Sequence, residues 1–213
     1  MEIDLHIHSR FSPDSRSRPE RIVARAKEVG LGAVAVTDHD SLEGARAARR
    51  VDESNLIVIP GEELKTDKGD LLALFIEEEI RARTYASIVD QVRSIGGITI
   101  VPHPAVSSKL TKDDMRIADG IEVFNATLRA VDNATSRKYA EDLELPGFGS
   151  SDAHLVEEIG NGRTRVPDSA DLEELRKNMF KGPIVSRAER SNMFVHRANE
   201  AMMFGLKGIW TRL

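Results

Sequence analysis

D-L-H-I-H-S, residues 4–9, places two histidines two positions apart at the end of the apolar run that opens the chain. The arrangement recurs: V-T-D-H-D (36–40) closes the run A-V-A-V, V-P-H-P (101–104) follows I-T-I, and S-S-D-A-H (150–154) follows G-F-G. Five of the six histidines lie in these four segments. Each preceding run reads as a short β-strand bounded by turn residues, so the histidines are expected to gather at one end of a parallel sheet or barrel. Imidazole is the commonest metal ligand, and imidazoles clustered with Asp and Glu point to a metal site rather than to packing.

Working outward from these runs, strands are expected at Glu2–Ile7, Ala33–Thr37, Leu56–Pro60, Leu71–Ile76, Ile98–Val101, Gly120–Phe124, Gly147–Ser150 and Pro183–Ser186. Amphipathic segments lie between them. In Arg18–Val29, residues Ile22, Val23, Ala26 and Val29 keep helical spacing and Gly30 follows. Tyr85–Ile95 ends at Gly96-Gly97, Val131–Leu143 precedes Pro146, Leu172–Met179 precedes Gly182-Pro183, and Ser191–Leu206 reads as a closing helix. Alternating βα units imply parallel strands with right-handed crossovers. An open sheet would place its site at one switch point, whereas here polar residues close nearly every strand. That favours a closed barrel of about seven strands, since the eight-unit form typically takes about 250 residues. No internal repeat or long linker divides residues 1–213, and a single domain is expected.

There is no cysteine, which excludes disulfides, iron–sulfur clusters and thiolate zinc sites, so any metal is held by nitrogen and oxygen. A formal net charge of −5 argues against broad electrostatic attraction to nucleic acid, and no stable nucleic-acid complex is expected. The first residues carry neither a basic stretch nor a long apolar segment, and no run of 18 apolar residues occurs, so a cytoplasmic location and no membrane partner are expected.

His6 and His8 share one face of a strand, roughly 6.5–7 Å apart along it, and two imidazoles so placed can lean onto one ion. An isolated pair of this kind equally suits a half-buried polar face, but Asp152 and His154 repeat the spacing at another strand end. Asp38 and His39 close a third strand, where one carboxylate can orient the neighbouring imidazole; Asp40 or Ser41 suits a helix cap. His103 stands between Pro102 and Pro104, a setting that fixes the backbone. Asp14, Glu62, Glu63 and Asp70 complete the carboxylates, each of which alone would suit a solvated surface.

Taken together, D-L-H-I-H-S with Asp14 eight residues after His6, then T-D-H-D, P-G-E-E, P-H-P and S-D-A-H, resemble the PHP (polymerase and histidinol phosphatase) superfamily of metal-dependent phosphoesterases. The match runs from residue 4 to residue 154. The resemblance implies a distorted TIM-like (β/α)7 barrel with two or three divalent ions (Mn, Zn or Fe) at the C-terminal ends of its strands. It implies one ion on His6, His8, Glu63 and Asp152, a second sharing Glu63 and taking His103, and a third on Asp14, His39 and His154. Glu63 and a hydroxide would bridge the first two. Where similar proteins often have histidine, this chain has Asp70 in G-D-L-L-A-L-F, an oxygen ligand that favours a harder metal such as manganese.

The chemistry so implied is hydrolysis of a phosphate ester, in which clustered cations lower the pKa of water to roughly 7 and clamp the attacking and leaving oxygens. Glu63, Asp38 and Asp152 are the expected catalytic carboxylates; Asp38, Asp40, metal-bound water or a transiently acting ligand are the candidates to protonate the leaving group. Arg10, Arg16, Lys109, Arg163 and Asn125 are candidates for holding the substrate, because Arg offers phosphate a planar fork. For each cation singly a solvated surface role competes. The short chain without a long basic stripe leans towards small phosphorylated metabolites or nucleotides. A 5′-end exonuclease on short RNA or DNA and a non-catalytic metal-bearing regulatory module are the alternatives. A C–N hydrolase ranks low, since no lysine sits where a carboxylated ligand should be.

Overall fold

The structure is a computed structural model that describes residues 1–51, 56–106 and 109–192. Among the described residues nine strands form one sheet: β1 (Glu2–Asp4), β2 (Ala33–His39), β3 (Ile57–Lys65), β4 (Asp70–Leu74), β5 (Ile98–Val101), β6 (Gly120–Asn125), β7 (Gly147–Ser150), β8 (Gly162–Arg165) and β9 (Ile184–Ala188). Helices α1 (Pro19–Glu28), α2 (Glu43–Val51), α3 (Tyr85–Ser94), α4 (Lys112–Arg116), α5 (Ala130–Leu143) and α6 (Leu172–Asn178) accompany them. The sheet order is β7-β6-β5-β4-β3-β2-β1-β8-β9, and it curls into a nearly closed, distorted barrel of the TIM-like kind.

Strict βα alternation holds on both flanks and fails in the middle. β1, β2 and β3 are parallel, as are β5, β6 and β7, but β4 runs antiparallel to both neighbours. The strand expected to stop at Pro60 continues to Lys65, and Thr66–Gly69 turn it directly into β4. Gly61 is a close approach rather than a turn: a Cβ there would lie 2.8 Å from the Ala73 carbonyl oxygen of β4. Reversal of β4 brings its first residue, Asp70, to the same barrel end as the last residue of β3, with which it pairs.

The seam lies between β7 and β1. Ile3 and Leu5 pack in the interior with Ile59, Leu72, Leu74 and Phe148, whereas Ile7 packs under α1 with Ile22, Val23 and Val36. The two-residue alternation therefore shifts by one between Leu5 and Ile7, which interrupts the strand expected over Glu2–Ile7. Before the shift β1 pairs antiparallel with β8; after it, Ile7 bridges in parallel to Ala153, beyond β7. β8 was not foreseen, because G-R-T-R carries no apolar alternation. Thr164 of β8 ties it to β7 by accepting from Gly149 N–H at 2.7 Å and donating to the Gly149 carbonyl at 3.0 Å.

The interior cluster closes at the lower end with Leu175 and Met179 of the α6 region, and Phe180 meets Phe148 edge-on at 5.8 Å. A second core lies between the β4–β6 side and helices α3 to α5, and a third under α1 and α2. From residue 193 on, the expected closing helix lies outside the described residues. Among the described residues no helix is long and apolar enough to cross a membrane.

Candidate metal centre

The barrel mouth gathers side chains from six chain segments. His6 and His8 arrive on the continuation of β1, Asp14 on the following loop, His39 at the end of β2, Glu63 near the end of β3, His103 just after β5, and Asp152 and His154 just after β7. The Asp14 loop is held by its serines, Ser15 Oγ donating to the carbonyls of His8 and His154, both at 2.9 Å. These side chains are buried, except that His39 and His103 are partly exposed.

Four donor atoms meet at one point. His6 Nε2 lies 3.1 Å from His8 Nε2 and 3.2 Å from Glu63 Oε2. Asp152 Oδ1 is 3.4 Å from each of the two ring nitrogens. A cation about 2.0–2.2 Å from each donor would impose donor separations of roughly 3.0–3.5 Å, depending on coordination number. Glu63 spans two positions: Oε2 also faces His39 Nδ1 at 3.3 Å, while Oε1 faces His103 Nε2 at 3.0 Å. On the far side, Asp14 Oδ2 is 3.1 Å from His39 Nε2 and 3.5 Å from His154 Nε2, with the His8 ring stacked 4.3 Å from that of His154. Among the described residues three groupings able to hold a cation result: His6, His8 and Asp152; His6, Glu63 and His103; His8, Asp14, His39 and His154.

The ring tautomers suit ligation. His154 Nδ1 donates to the Asp152 carbonyl at 3.0 Å, leaving the Nε2 lone pair for Asp14's side of the centre. His6 Nδ1 faces Glu122 Oε1 at 3.3 Å, so its Nε2 lone pair points at other lone pairs. Only a cation or a proton between them relieves that arrangement. Without a metal, protons serve. Burial opposes charging His103 and His154, but the carboxylates of Glu63 and Asp14 outweigh it and hold both rings at about 9. Burial likewise raises Glu63 and Asp152, yet the neighbouring imidazoles hold both carboxylates well below the usual range.

Two of these ligand candidates have left-handed backbones, His103 at φ 33° and Asp152 at φ 51°. For non-glycine residues this is strain, of the kind that persists where surroundings over-determine it. At His103 it is useful. Thr99 and Val101 of β5 alternate with the interior residues Ile98 and Ile100, so regular extension would turn His103 outwards; instead its ring meets Glu63.

Several expectations need correction. Asp38 points away from the centre: Oδ1 accepts from Ser9 N–H and Oδ2 from Ser9 Oγ, both at 2.6 Å, and Gly44 of α2 packs against it. It braces the segment just after His8 and is not placed to protonate a leaving group. Arg163 lies at the opposite end of the barrel, bonded to the carbonyls of Gly160 and Val29 at 2.6 and 2.9 Å, and cannot meet substrate at the mouth. Asn125 is turned inwards, its amide donating to Glu122 Oε2 at 2.8 Å and Asp152 Oδ2 at 3.0 Å, so it orients carboxylates. Asp70 joins none of the three groupings, although Glu63 lies near enough for its charge to add to burial in raising Asp70. Arg10 lies over the ring of Phe11, Arg16 is exposed, and Lys109 lines a cavity of about 270 Å³ with Lys65, Lys68 and Asp70.

Reasoning from the sequence missed Glu122 and Asp4. Glu122, fully buried, also accepts from the backbone N–H of His103 at 2.8 Å. Asp4 accepts from Ser151 N–H at 3.0 Å and Gly160 N–H at 2.8 Å, tying β1 to the segment that carries Asp152. Burial outweighs these bonds and pushes its carboxyl up to about 6. The available signal was a carboxylate set within an otherwise apolar run, E-I-D-L and G-I-E-V-F.

A distorted α/β barrel with imidazoles and carboxylates converging on the C-terminal ends of its parallel strands defines a metal-centre protein class. Comparison narrows it: the PHP domain matches residues 4–124 and a PHP-associated region matches residues 131–182. The chain belongs to the PHP domain family. It is 31% identical over 168 residues to an uncharacterized protein of Methanocaldococcus jannaschii, covering 70% of this chain and 96% of that one. It is 46% identical over 190 residues to an error-prone DNA polymerase of Cutibacterium acnes, covering 87% of this chain but 14% of the polymerase. Among solved structures, a two-domain Bacteroides vulgatus protein containing a predicted PHP-like metal-dependent phosphoesterase superposes with TM-score 0.75 at 19% identity. That match covers 94% of this chain and 70% of the other. PsfC of Pseudomonas syringae gives 0.69 at 19%, covering 99% and 97%. At such identities the last two are likenesses of fold.

Proposed function

We propose that the protein is a metal-dependent phosphoesterase that hydrolyses a phosphomonoester of a small metabolite or nucleotide. The observation that carries this reading is the meeting of His6 Nε2 and His8 Nε2, 3.1 Å apart, with Glu63 Oε2 and Asp152 Oδ1, each ring nitrogen lying 3.2–3.4 Å from both carboxylate oxygens. Those four residues would hold one divalent cation; Glu63 with His103 would hold a second, and Asp14, His39 and His154 a third. Manganese, zinc and iron all accept such nitrogen and oxygen donors. When bound, the cations supply charge neutralisation for the phosphoryl oxygens and a nucleophile from water at neutral pH. Glu63 couples neighbouring positions through its two oxygens, and Asn125 and Glu122 hold Asp152, His6 and His103 in place. Arg10, Arg16 and Lys109 are the proposed contacts for a phosphate arriving from solvent. A cytoplasmic setting is part of the same reading.

The similarity to an error-prone DNA polymerase over most of this chain favours one second reading, hydrolysis of a phosphodiester at an end of short RNA or DNA. One experiment addresses both. Metal content of the purified protein is measured beside hydrolysis of a generic phosphomonoester and a generic phosphodiester, with and without manganese, for the parent, His8→Ala and Asp152→Ala. Two or three bound metals with hydrolysis that both substitutions abolish support the proposal, and the preferred ester chooses between the readings. Stoichiometric metal with no turnover of either ester refutes the enzyme and leaves a structural metal module.

A further inference from the structure

Glu122 makes no direct approach to the four-donor meeting point, yet its two oxygens reach three parts of the centre. Oε2 accepts from His103 N–H and from Asn125 Nδ2. The first donor is backbone. The second cannot be reversed by an amide flip, because Asn125 Oδ1 accepts Thr127 N–H at 2.9 Å. Both donors on Oε2 are therefore fixed in direction. Oε1 meets His6 Nδ1 at 3.3 Å. An ionised carboxylate only accepts, so His6 Nδ1 carries a proton, and in the singly protonated ring that a metal requires the Nε2 lone pair is turned towards His8, Glu63 and Asp152.

From this chain of directions, and resting on the metal-centre reading above, we propose that Glu122 is a positioning residue. It sets the tautomer of His6 from the backbone of Thr127 and His103, and through it the metal affinity of the centre. The near-isosteric Glu122→Gln exposes the device. Two fixed donors require the carbonyl oxygen of Gln to occupy the place of Oε2. Its NH₂ group must then face His6 Nδ1, which becomes an acceptor. The ring proton moves to Nε2, where it donates to Glu63 and blocks the metal. The substitution keeps volume and hydrogen-bond count, so the metal-free fold is retained while the ligand is switched off.

The test uses zinc alone, with no substrate. Nitrogen–proton correlation spectra of the metal-free protein, recorded at a pH high enough for the His6 ring to hold a single proton and with His6 assigned by comparison with His6→Gln, report whether Nδ1 carries that proton. Competition with a chelator gives zinc affinity, and thermal unfolding gives stability. Glu122→Gln is expected to leave Nδ1 without its proton, to weaken zinc binding by about 10–100-fold, and to leave the unfolding midpoint of the metal-free form unchanged or higher. Asn125→Ala, which keeps the carboxylate and the His103 donor, is expected to retain the proton on Nδ1. A proton still on Nδ1 in Glu122→Gln, zinc binding within about threefold of the parent, or loss of the Nδ1 proton in Asn125→Ala would each overturn the proposal. A parent that binds no zinc or manganese would instead overturn the metal-centre reading, and the spectra would still decide how His6 is oriented.

Discussion

Gly44→Ala is a substitution for which two physical rules give opposite signs. Gly44 is the second residue of α2, and on helix propensity alone alanine would stabilise the protein by about 0.5–1 kcal/mol. The structure reverses this. A Cβ at Gly44 would stand 1.8 Å from Asp38 Oδ2 and 2.4 Å from Ser9 Oγ, so the carboxylate or the helix must move by more than about an ångström. The carboxylate is fully buried, and its movement breaks two hydrogen bonds of 2.6 Å to Ser9. Hydrogen bonds to a charged group contribute about 1.5–3 kcal/mol each, so the net loss is about 2–5 kcal/mol after the propensity gain. In urea, with a slope of about 2 kcal/mol/M, the midpoint of the metal-free protein should fall by about 1–2.5 M at unchanged slope. A double-mutant cycle isolates the cause, since Gly44→Ala should cost little in an Asp38→Ala background. A Gly44→Ala protein as stable as its parent, or one equally destabilised in both backgrounds, would refute the reasoning. Because Ser9 directly follows His8, the same substitution should also weaken metal binding.

The remaining expectations concern protonation, the seam and the Asp4 tie. His103 and His154 titrate at about 9 when metal-free, above the ordinary 6.5, so their stabilising contribution is complete below about 6.5 and is lost as pH rises through about 9. Metal-free stability should therefore decline from pH 7 to 9.5 while zinc affinity climbs, because each cation displaces protons; chelator competition flat across that range would contradict the assignment. Thr164→Val removes the hydroxyl that serves both the N–H and carbonyl of Gly149, and should cost about 2–3 kcal/mol in urea unfolding through the buried N–H left unpaired; a loss under about 0.5 kcal/mol would show that the seam closes without it. Asp4→Ala strips the partner from the buried amides of Ser151 and Gly160, and should lower stability by about 2–4 kcal/mol and impair zinc binding through Asp152. Zinc binding at parental strength would show that Asp152 needs no such tie.

What was legible in the sequence follows from what chemistry allows at a position. A ligand must be His, Asp or Glu, and little else explains His6, His8, His39, His103 and His154 at strand ends, so those residues announced themselves. The parallel flanks were legible from apolar runs separated by helical spacing. The antiparallel β4 was not, because Pro60-Gly61 carries the signal of a strand end; with β3 running to Lys65, only T-D-K-G remains before Asp70, far too short for a crossover between parallel strands. β8 left no pattern, since its attachment depends on one threonine hydroxyl and on glycines, Gly162 among them, where a Cβ would lie 2.0 Å from the Ser150 carbonyl oxygen.

The misplaced candidates share a cause. Asp38 and Arg163 stand close in sequence to true strand ends, but a strand turns successive residues to opposite faces. His39 faces the centre, so Asp38 must face α2; Thr164 faces β7, and Arg163 reaches Val29. The same rule would have sent His103 outwards with Val101, and there the structure breaks it, with a left-handed residue between two prolines held by the carboxylate of Glu122. A regular strand keeps its ligands by alternation alone, as β3 keeps Glu63. An irregular ligand needs an outside partner to fix its backbone. His103 has Glu122, and Asp152, also left-handed, follows Ser151, whose amide is bound by Asp4. The two carboxylates that carry no motif are thus the ones stationed where the backbone leaves the pattern a sequence can display.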